Sequence, residues 1–368
     1  PVATKLPADL AWRPIASAPF QRQYAAATAV DGKVMAIGGI GVRDASTTTK
    51  IYDPESDSWT TGPGLPAALH HASAVTYDGE PVVIGGFIPG AELTSQQSDR
   101  VYALRGGSWE RLPSLNHPRA AAAAAVVGDK IVVVGGQADG KLVPQTEVFD
   151  GKRWTDVAAI PTPREHLAAA SDGRYLYAVG GRDLSAAKNL SAFERYDPED
   201  DSWTTLDDMP DQVGSVGAAY VDGLVIAVGG ERVTEPSDTV QAFDARSMRW
   251  SQLSALPAPR HGVAVATLED SLFAIGGAAA AGHVDDGQRD RDDEGLQNAD
   301  QNDAGHRRGS DGDLNAAGAG QPSPGRDIDQ SDGGEHDDRA QGRLGQVLHR
   351  LGEEQQHHGD GAGAKQPG

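Results

Sequence analysis

Four arginines and four histidines in this 368-residue chain recur at one place in a regular pattern. Counting ten to twelve residues on from each of six tryptophans gives Arg22-Gln23-Tyr24, Leu69-His70-His71, Arg119-Ala120-Ala121, Arg164-Glu165-His166, Val213-Gly214-Ser215 and Arg260-His261-Gly262. A guanidinium is a rigid fork of donors that suits bidentate recognition of a carboxylate. If the six places meet in space, Arg22, Arg119, Arg164 and Arg260, with His70, His71, His166 and His261, make a cationic rosette in an otherwise acidic protein. Its chemistry would be anion binding, for a carboxylated sugar or an acidic peptide. The competing reading gives each arginine a structural hydrogen bond to a neighbouring loop. Zinc would need three or four of the histidines at one point. Neighbours in an extended chain point to opposite faces, so His70 and His71 are not expected to share a centre. Neither a metal nor another cofactor is therefore expected. Glu165 beside His166 offers an acid and a base, which is all that a sugar epimerisation needs.

The scaffold that must position these residues is a repeat. The tryptophans are Trp12, Trp59, Trp109, Trp154, Trp203 and Trp250, and Gly-Gly pairs begin at Gly38, Gly85, Gly135, Gly180, Gly229 and Gly276. Every pair starts 26 residues after its tryptophan, while the stretch from a pair to the next tryptophan varies in length. A constant stretch joined to a variable one means a rigid scaffold with one variable loop per unit.

Within the constant stretch, a Pro-containing turn leads to a small-residue strand such as Ala168-Ala169-Ala170. A tight turn follows, as at Asp31-Gly32, Asp78-Gly79 and Asp222-Gly223, where the positive φ of a two-residue hairpin is needed. The next strand is continuously apolar, as in Ile131-Val132-Val133-Val134, which suits a strand covered on both faces. A third strand ends in an aromatic (Tyr52, Tyr102, Phe149, Tyr196, Phe243), and a fourth carries the tryptophan. Four antiparallel strands of this total length make one blade of a propeller.

The Gly-Gly pairs, the aromatic five or seven residues before each tryptophan, and the Pro-Arg ahead of the first strand resemble the kelch family; Tyr196-Asp197-Pro198-Glu199-Asp200-Asp201-Ser202-Trp203 is a close match. The resemblance covers about residues 12–277 and implies an all-β, six-bladed kelch β-propeller with four-stranded antiparallel blades. The glycines, tryptophans and aromatics are then structural, allowing close backbone approach and filling the space between blades. The resemblance also implies a protein- or carbohydrate-binding module that works through the face carrying the inter-blade and post-Gly-Gly loops. The alternative is an enzyme like the six-bladed sialic-acid mutarotase, centred on Glu165. A copper-radical oxidase of related architecture needs a cysteine thioether, and the chain has no cysteine.

Five blades are complete in sequence. The sixth has two strands, from about Arg260 to Gly277, and Trp12 is a fourth strand with no blade before it, so the two ends are expected to close the ring together. A third strand with an aromatic is expected 15 to 20 residues past Gly277, but Asp285-Asp286-Gly287-Gln288-Arg289 is no strand. The propeller is accordingly assigned to 1–283. Residues 284–368 read as a disordered, low-complexity acidic tail, or as an out-of-frame translation of a GC-rich reading frame. From 278 onward there are 19 acidic and 9 basic residues and no Trp, Tyr or Phe, too little apolar surface to offset the entropy of ordering. Within that tail, 344–351 reads as a short helix.

The net charge of −21 argues against a nucleic-acid or anionic-membrane surface. The sequence has no apolar run long enough for a spanning helix. The expected partner is a protein or glycan, the expected state a monomer, and the favoured location extracytoplasmic or secreted.

Overall fold

Each Asp-Gly pair that the sequence marks as a turn joins two strands of one sheet. At Asp31-Gly32, Asp78-Gly79 and Asp222-Gly223 both residues have positive φ, which gives a hairpin the twist of its strands. The computed structural model describes residues 10–41, 44–89, 95–279 and 345–350. They form six four-stranded antiparallel sheets, a six-bladed β-propeller.

The first blade is Ala26–Val30, Lys33–Ile37, Thr49–Asp53 and Ser58–Thr61. The second is Ser73–Tyr77, Glu80–Ile84, Val101–Arg105 and Ser108–Leu112. The third is Ala123–Val127, Lys130–Val134, Thr146–Phe149 and Trp154–Val157. Ala168–Ser171, Leu176–Val179, Phe193–Asp197 and Ser202–Thr205 make the fourth. Gly217–Val221, Leu224–Val228, Val240–Asp244 and Arg249–Gln252 make the fifth.

The sixth blade draws on both ends of the chain. Ala264–Leu268 and Ser271–Ile275 are its first two strands and Leu10–Ile15 its fourth. Between them lies Gly345–Arg350, with Leu348 opposite both Leu272 and Trp12. Two expectations are corrected here. The third strand does not lie 15 to 20 residues past Gly277 and carries no aromatic. Within the apolar stretch read as a helix at 344–351, Gly345–Arg350 is a strand, because two open strand edges offer its backbone partners that an isolated short helix would lack. The rest of the segment assigned to the tail lies outside the described residues.

Six separate apolar clusters fill the six interfaces between blades. The repeated residues pin those interfaces. Each tryptophan Nε1 donates to a carbonyl on the segment leading from the preceding blade: Trp12 to Ser254, Trp59 to Ala16, Trp109 to Pro63, Trp154 to Pro113, Trp203 to Ala158 and Trp250 to Asp207, all at 2.8–3.0 Å. Each Gly-Gly receives the next blade. The Gly136 amide donates to the Arg164 carbonyl at 2.9 Å, and a Cβ on Gly135 would sit 2.6 Å from that oxygen. The same bond joins Gly277 to the Arg22 carbonyl across the closure.

Candidate functional site at the centre of the ring

The six inter-blade triplets do meet, but through their third residues rather than their arginines. Tyr24, His71, Ala121, His166, Ser215 and Gly262 all have φ between 51 and 58°. That turns each amide toward the carbonyl of the previous blade. Tyr24 N donates to Gly262 O at 2.8 Å, His71 N to Tyr24 O at 3.1 Å and Ala121 N to His71 O at 3.0 Å. His166 N donates to Ala121 O at 2.8 Å, Ser215 N to His166 O at 2.8 Å and Gly262 N to Ser215 O at 2.9 Å. The result is a closed cycle of six backbone hydrogen bonds. Five of the six residues are not glycine, so each holds a left-handed conformation that costs about 1–3 kcal/mol and persists because the surrounding bonds over-determine it.

The second residue of each triplet bridges the residue after Gly-Gly: Gln23 to Ile40, His70 to Phe87, Ala120 to Gln137, Glu165 to Arg182, Gly214 to Glu231 and His261 to Ala278. The loop after each Gly-Gly is thereby fastened to the centre.

The arginines of the expected rosette are turned into the blades. Arg119 and Arg164 are fully buried, and Arg22 and Arg260 nearly so. Each bonds the carbonyl of its own blade's first glycine: Arg22 that of Gly38, Arg119 that of Gly135 at 2.9 Å, Arg164 that of Gly180 at 2.6 Å, and Arg260 that of Gly276. Arg119 also pairs with Glu147 at 2.7 Å, and Arg164 with Glu194 at 2.5 Å. Burial lowers the pKa of all four, that of Arg22 to about 10. The anion-binding assignment of Arg22, Arg119, Arg164 and Arg260 is therefore corrected. Each is turned into its own blade, onto the carbonyl of the first glycine, and not toward the axis.

The histidines do gather. His71 stacks on Tyr24, with ring centroids 3.6 Å apart, and lies edge-on to His166 at 4.9 Å. His70 and His71, expected to diverge, have their Nδ1 atoms 2.6 Å apart, because the positive φ at His71 breaks the extended geometry. The Tyr24 hydroxyl lies 3.1 Å from His261 Nδ1 and 3.2 Å from Ser215 Oγ. Burial pushes the His70 pKa down to about 4 and the His71 pKa well below its ordinary value, so both are neutral at pH 7. Among the described residues no three His, Asp or Glu side chains are grouped as metal ligands.

Beside this aromatic plug runs a charged chain. Glu165 and His166 share a hydrogen bond through Nδ1, and Arg182 Nε donates to the other Glu165 oxygen at 2.7 Å. Arg182 reaches Glu231 at 3.3 Å, and Glu231 lies 3.7 Å from His261 Nδ1. Burial opposes both charges of the Glu165–Arg182 pair. His166 and Arg182 nevertheless hold the Glu165 pKa below its ordinary value, and chiefly Glu165 holds that of Arg182 above its own. Tyr24 and Ser215 stand in the aligned triplets, where the sequence pattern assigns them no role of their own. Arg182 and Glu231 open two of the loops after Gly-Gly, whose variable length suits a specificity surface, and the structure brings both to the triplets.

A cavity of about 110 Å³ abuts the ring, lined by Tyr24, His71, His166 and Ser215 with apolar residues such as Leu167 and Val216. At ~30 Å³ per water it holds a few waters, and it is well short of the ~300–1,000 Å³ of a small-molecule site.

Six four-stranded blades, a Gly-Gly that receives the next blade and a tryptophan that ties back to the last define a propeller of the kelch type. The family model described as the Kelch motif matches residues 21–66, 118–159 and 163–210. The chain is 27% identical over 286 residues to the Kelch-like protein terF of Aspergillus terreus, covering 72% of this chain and 62% of that one. It is 26% identical over 297 residues to alpha-scruin of Limulus polyphemus, covering 73% and 32%. It thus spans less than two thirds of either relative. A solved structure titled "Structure of YjhT" superposes with a TM-score of 0.65 at 17% identity, covering 73% of this chain and 94% of that one, a likeness of fold. The chain belongs to the kelch-repeat family.

Proposed function

We propose that this propeller is a protein-binding module whose partner rests on the face carrying the post-Gly-Gly loops. The observation that carries this reading is the filled centre. Tyr24, His71 and His166 occupy the mouth, and the cavity beside them is too small for a sugar acid. The loops around it form a broad, varied rim. Phe87–Pro89 with Ser95–Gln97, and Gln137–Ala138 with Lys141–Leu142, are short hairpins, while the loop after Gly230 presents Val233, 62% exposed. Loops fixed on a rigid scaffold are where recognition is usually placed.

The test is affinity capture with the full chain and two sets of variants. Lys141→Glu, Lys188→Glu and Val233→Glu alter the rim; Glu110→Lys and Thr204→Lys alter outer strands. Support is a partner that the rim variants lose and the outer variants keep. A partner insensitive to the rim changes overturns the reading.

A second reading, sugar epimerisation, rests on one observation: Glu165, His166 and Arg182 form a coupled acid–base group at the centre. It requires Tyr24 and His71 to move aside. Sialic acid raising the melting temperature of the full chain, with Glu165→Gln abolishing anomer exchange followed by NMR, would favour it over the first.

A further inference from the structure

The sixth blade differs from the others in one strand. Its third strand is reached by a connection from Ile275 to Gly345, whereas the same connection runs from Ile37 to Thr49, Val134 to Thr146, Val179 to Phe193 and Val228 to Val240 elsewhere.

Its side chains depart from the pattern of the other third strands. In four blades the third strand places an aromatic opposite the tryptophan: Tyr52 by Trp59, Phe149 by Trp154, Tyr196 by Trp203 and Phe243 by Trp250. In the sixth, Leu348 stands opposite Trp12. Two residues earlier, the same register holds Glu147 and Glu194, which pair with Arg119 and Arg164. Where the arginine is absent the register changes in step. The fifth blade has Val213 with Gln241, whose Oε1 accepts from the Asp211 amide, and the second has Leu69 with Tyr102 and Leu104. The first blade has Arg22 with Lys50, but there Arg22 lies over the Phe20 ring at 4.3 Å and reaches a second carbonyl, that of Thr48.

The sixth blade keeps the arginine and has Gln346 in the register of the acid. Arg260 is 4% exposed, and Gly276 O is the one acceptor its side chain meets among the described residues. Gln346 occupies the acid's register opposite Ala274, is 6% exposed, and its Oε1 is buried with no hydrogen-bond partner. Among the described residues, then, a buried cation has no acid and a buried carbonyl oxygen has no donor, and both are unfavourable.

We propose that the sixth blade is a strand-acceptor site: an extended peptide with a carboxylate two residues before an aromatic ring displaces Gly345–Arg350 and lies between Ser271–Ile275 and Leu10–Ile15. The two strand edges supply main-chain hydrogen bonds whatever the sequence, while Arg260 and the place that Leu348 vacates beside Trp12 select the carboxylate and the ring. The chain's own third strands define the ligand class. This site lies within a blade, apart from the loop face.

The experiment uses the full chain and a fluorescein-labelled peptide copying residues 145–150, Gln-Thr-Glu-Val-Phe-Asp, followed by anisotropy up to about 1 mM. The expected result is saturable binding, weakened about tenfold or more when the peptide's Glu is Gln or its Phe is Ala. The chain variant Gln346→Glu with Leu348→Phe turns the resident strand into the better occupant and should lose the peptide while melting higher. No saturable binding to the natural chain overturns the proposal, as does equal binding of the three peptides. Undiminished binding by the double variant overturns it too.

Discussion

Arg164 and Glu194 face each other at 2.5 Å with essentially no exposure, one at the entrance to the fourth blade and the other on its third strand. Arg164 also holds the Gly180 and Thr162 carbonyls, and Glu194 accepts from the Thr162 hydroxyl. The pair therefore ties the inter-blade loop, the Gly-Gly and the third strand into one unit. Removing one partner leaves the other charge buried without compensation. Glu194→Ala should cost about 3–5 kcal/mol in urea unfolding, whereas an apolar replacement of both, Arg164→Met with Glu194→Leu, should cost far less. A near-neutral Glu194→Ala would show the pair to be solvated.

The central histidines set a pH dependence. The folded pKa of His70 is depressed to about 4 by burial and that of His71 lies well below 6.5, so the unfolded chain binds more protons than the folded one between those values. Stability is then full above about pH 6.5 and falls as pH drops toward 4. His70 alone contributes about 3 kcal/mol across that window, as an upper figure. Melting temperatures recorded from pH 7 to 4 should fall steadily, and His70→Gln should flatten the slope. An unchanged slope in that variant would place the sensitive group elsewhere.

What could be read in the sequence was what repeats. Trp, Gly-Gly and the turn pairs recur because each blade solves the same packing problem, and their spacing carries the fold. The location of the centre was legible too, since the triplets at Arg22, Leu69, Arg119, Arg164, Val213 and Arg260 align by counting. Which residue of each triplet faces the axis was not. That depends on a left-handed backbone at Tyr24, His71, Ala121, His166 and Ser215, residue types that give no hint of it. The burial of Arg119 and Arg164 depends on Glu147 and Glu194 in a later strand, and neither acid is near its arginine in sequence. Gly345–Arg350 was obscured for another reason. A short apolar run without an aromatic has no period of its own, and only two waiting strand edges make it a strand.

Tyr24 and Gly262 test how tightly the ring is packed. Their backbones are joined at 2.8 Å, and a Cβ on Gly262 would lie 2.9 Å from the Tyr24 ring, at a φ of +58°. Gly262→Ala should lose about 1–3 kcal/mol from overpacking and backbone strain together. In Tyr24→Ala the ring is gone and the clash with it, so Gly262→Ala should cost only the backbone part. A double-mutant cycle by urea unfolding reads the difference, and strict additivity would mean that the ring moves aside freely.

Trp154 separates packing from hydrogen bonding at a blade interface. It is 6% exposed, lies 5.1 Å from the Phe149 ring centroid and donates Nε1–H to Pro113 O at 2.9 Å. Trp154→Phe keeps most of the ring contact but leaves that carbonyl without its donor, at a cost of about 1–3 kcal/mol. Trp154→Ala also opens a void between the second and third blades and should cost about 3–5 kcal/mol. Equal losses in the two variants would mean that the hydrogen bond, and not the buried ring, holds the interface; a neutral Phe variant would assign the whole effect to packing.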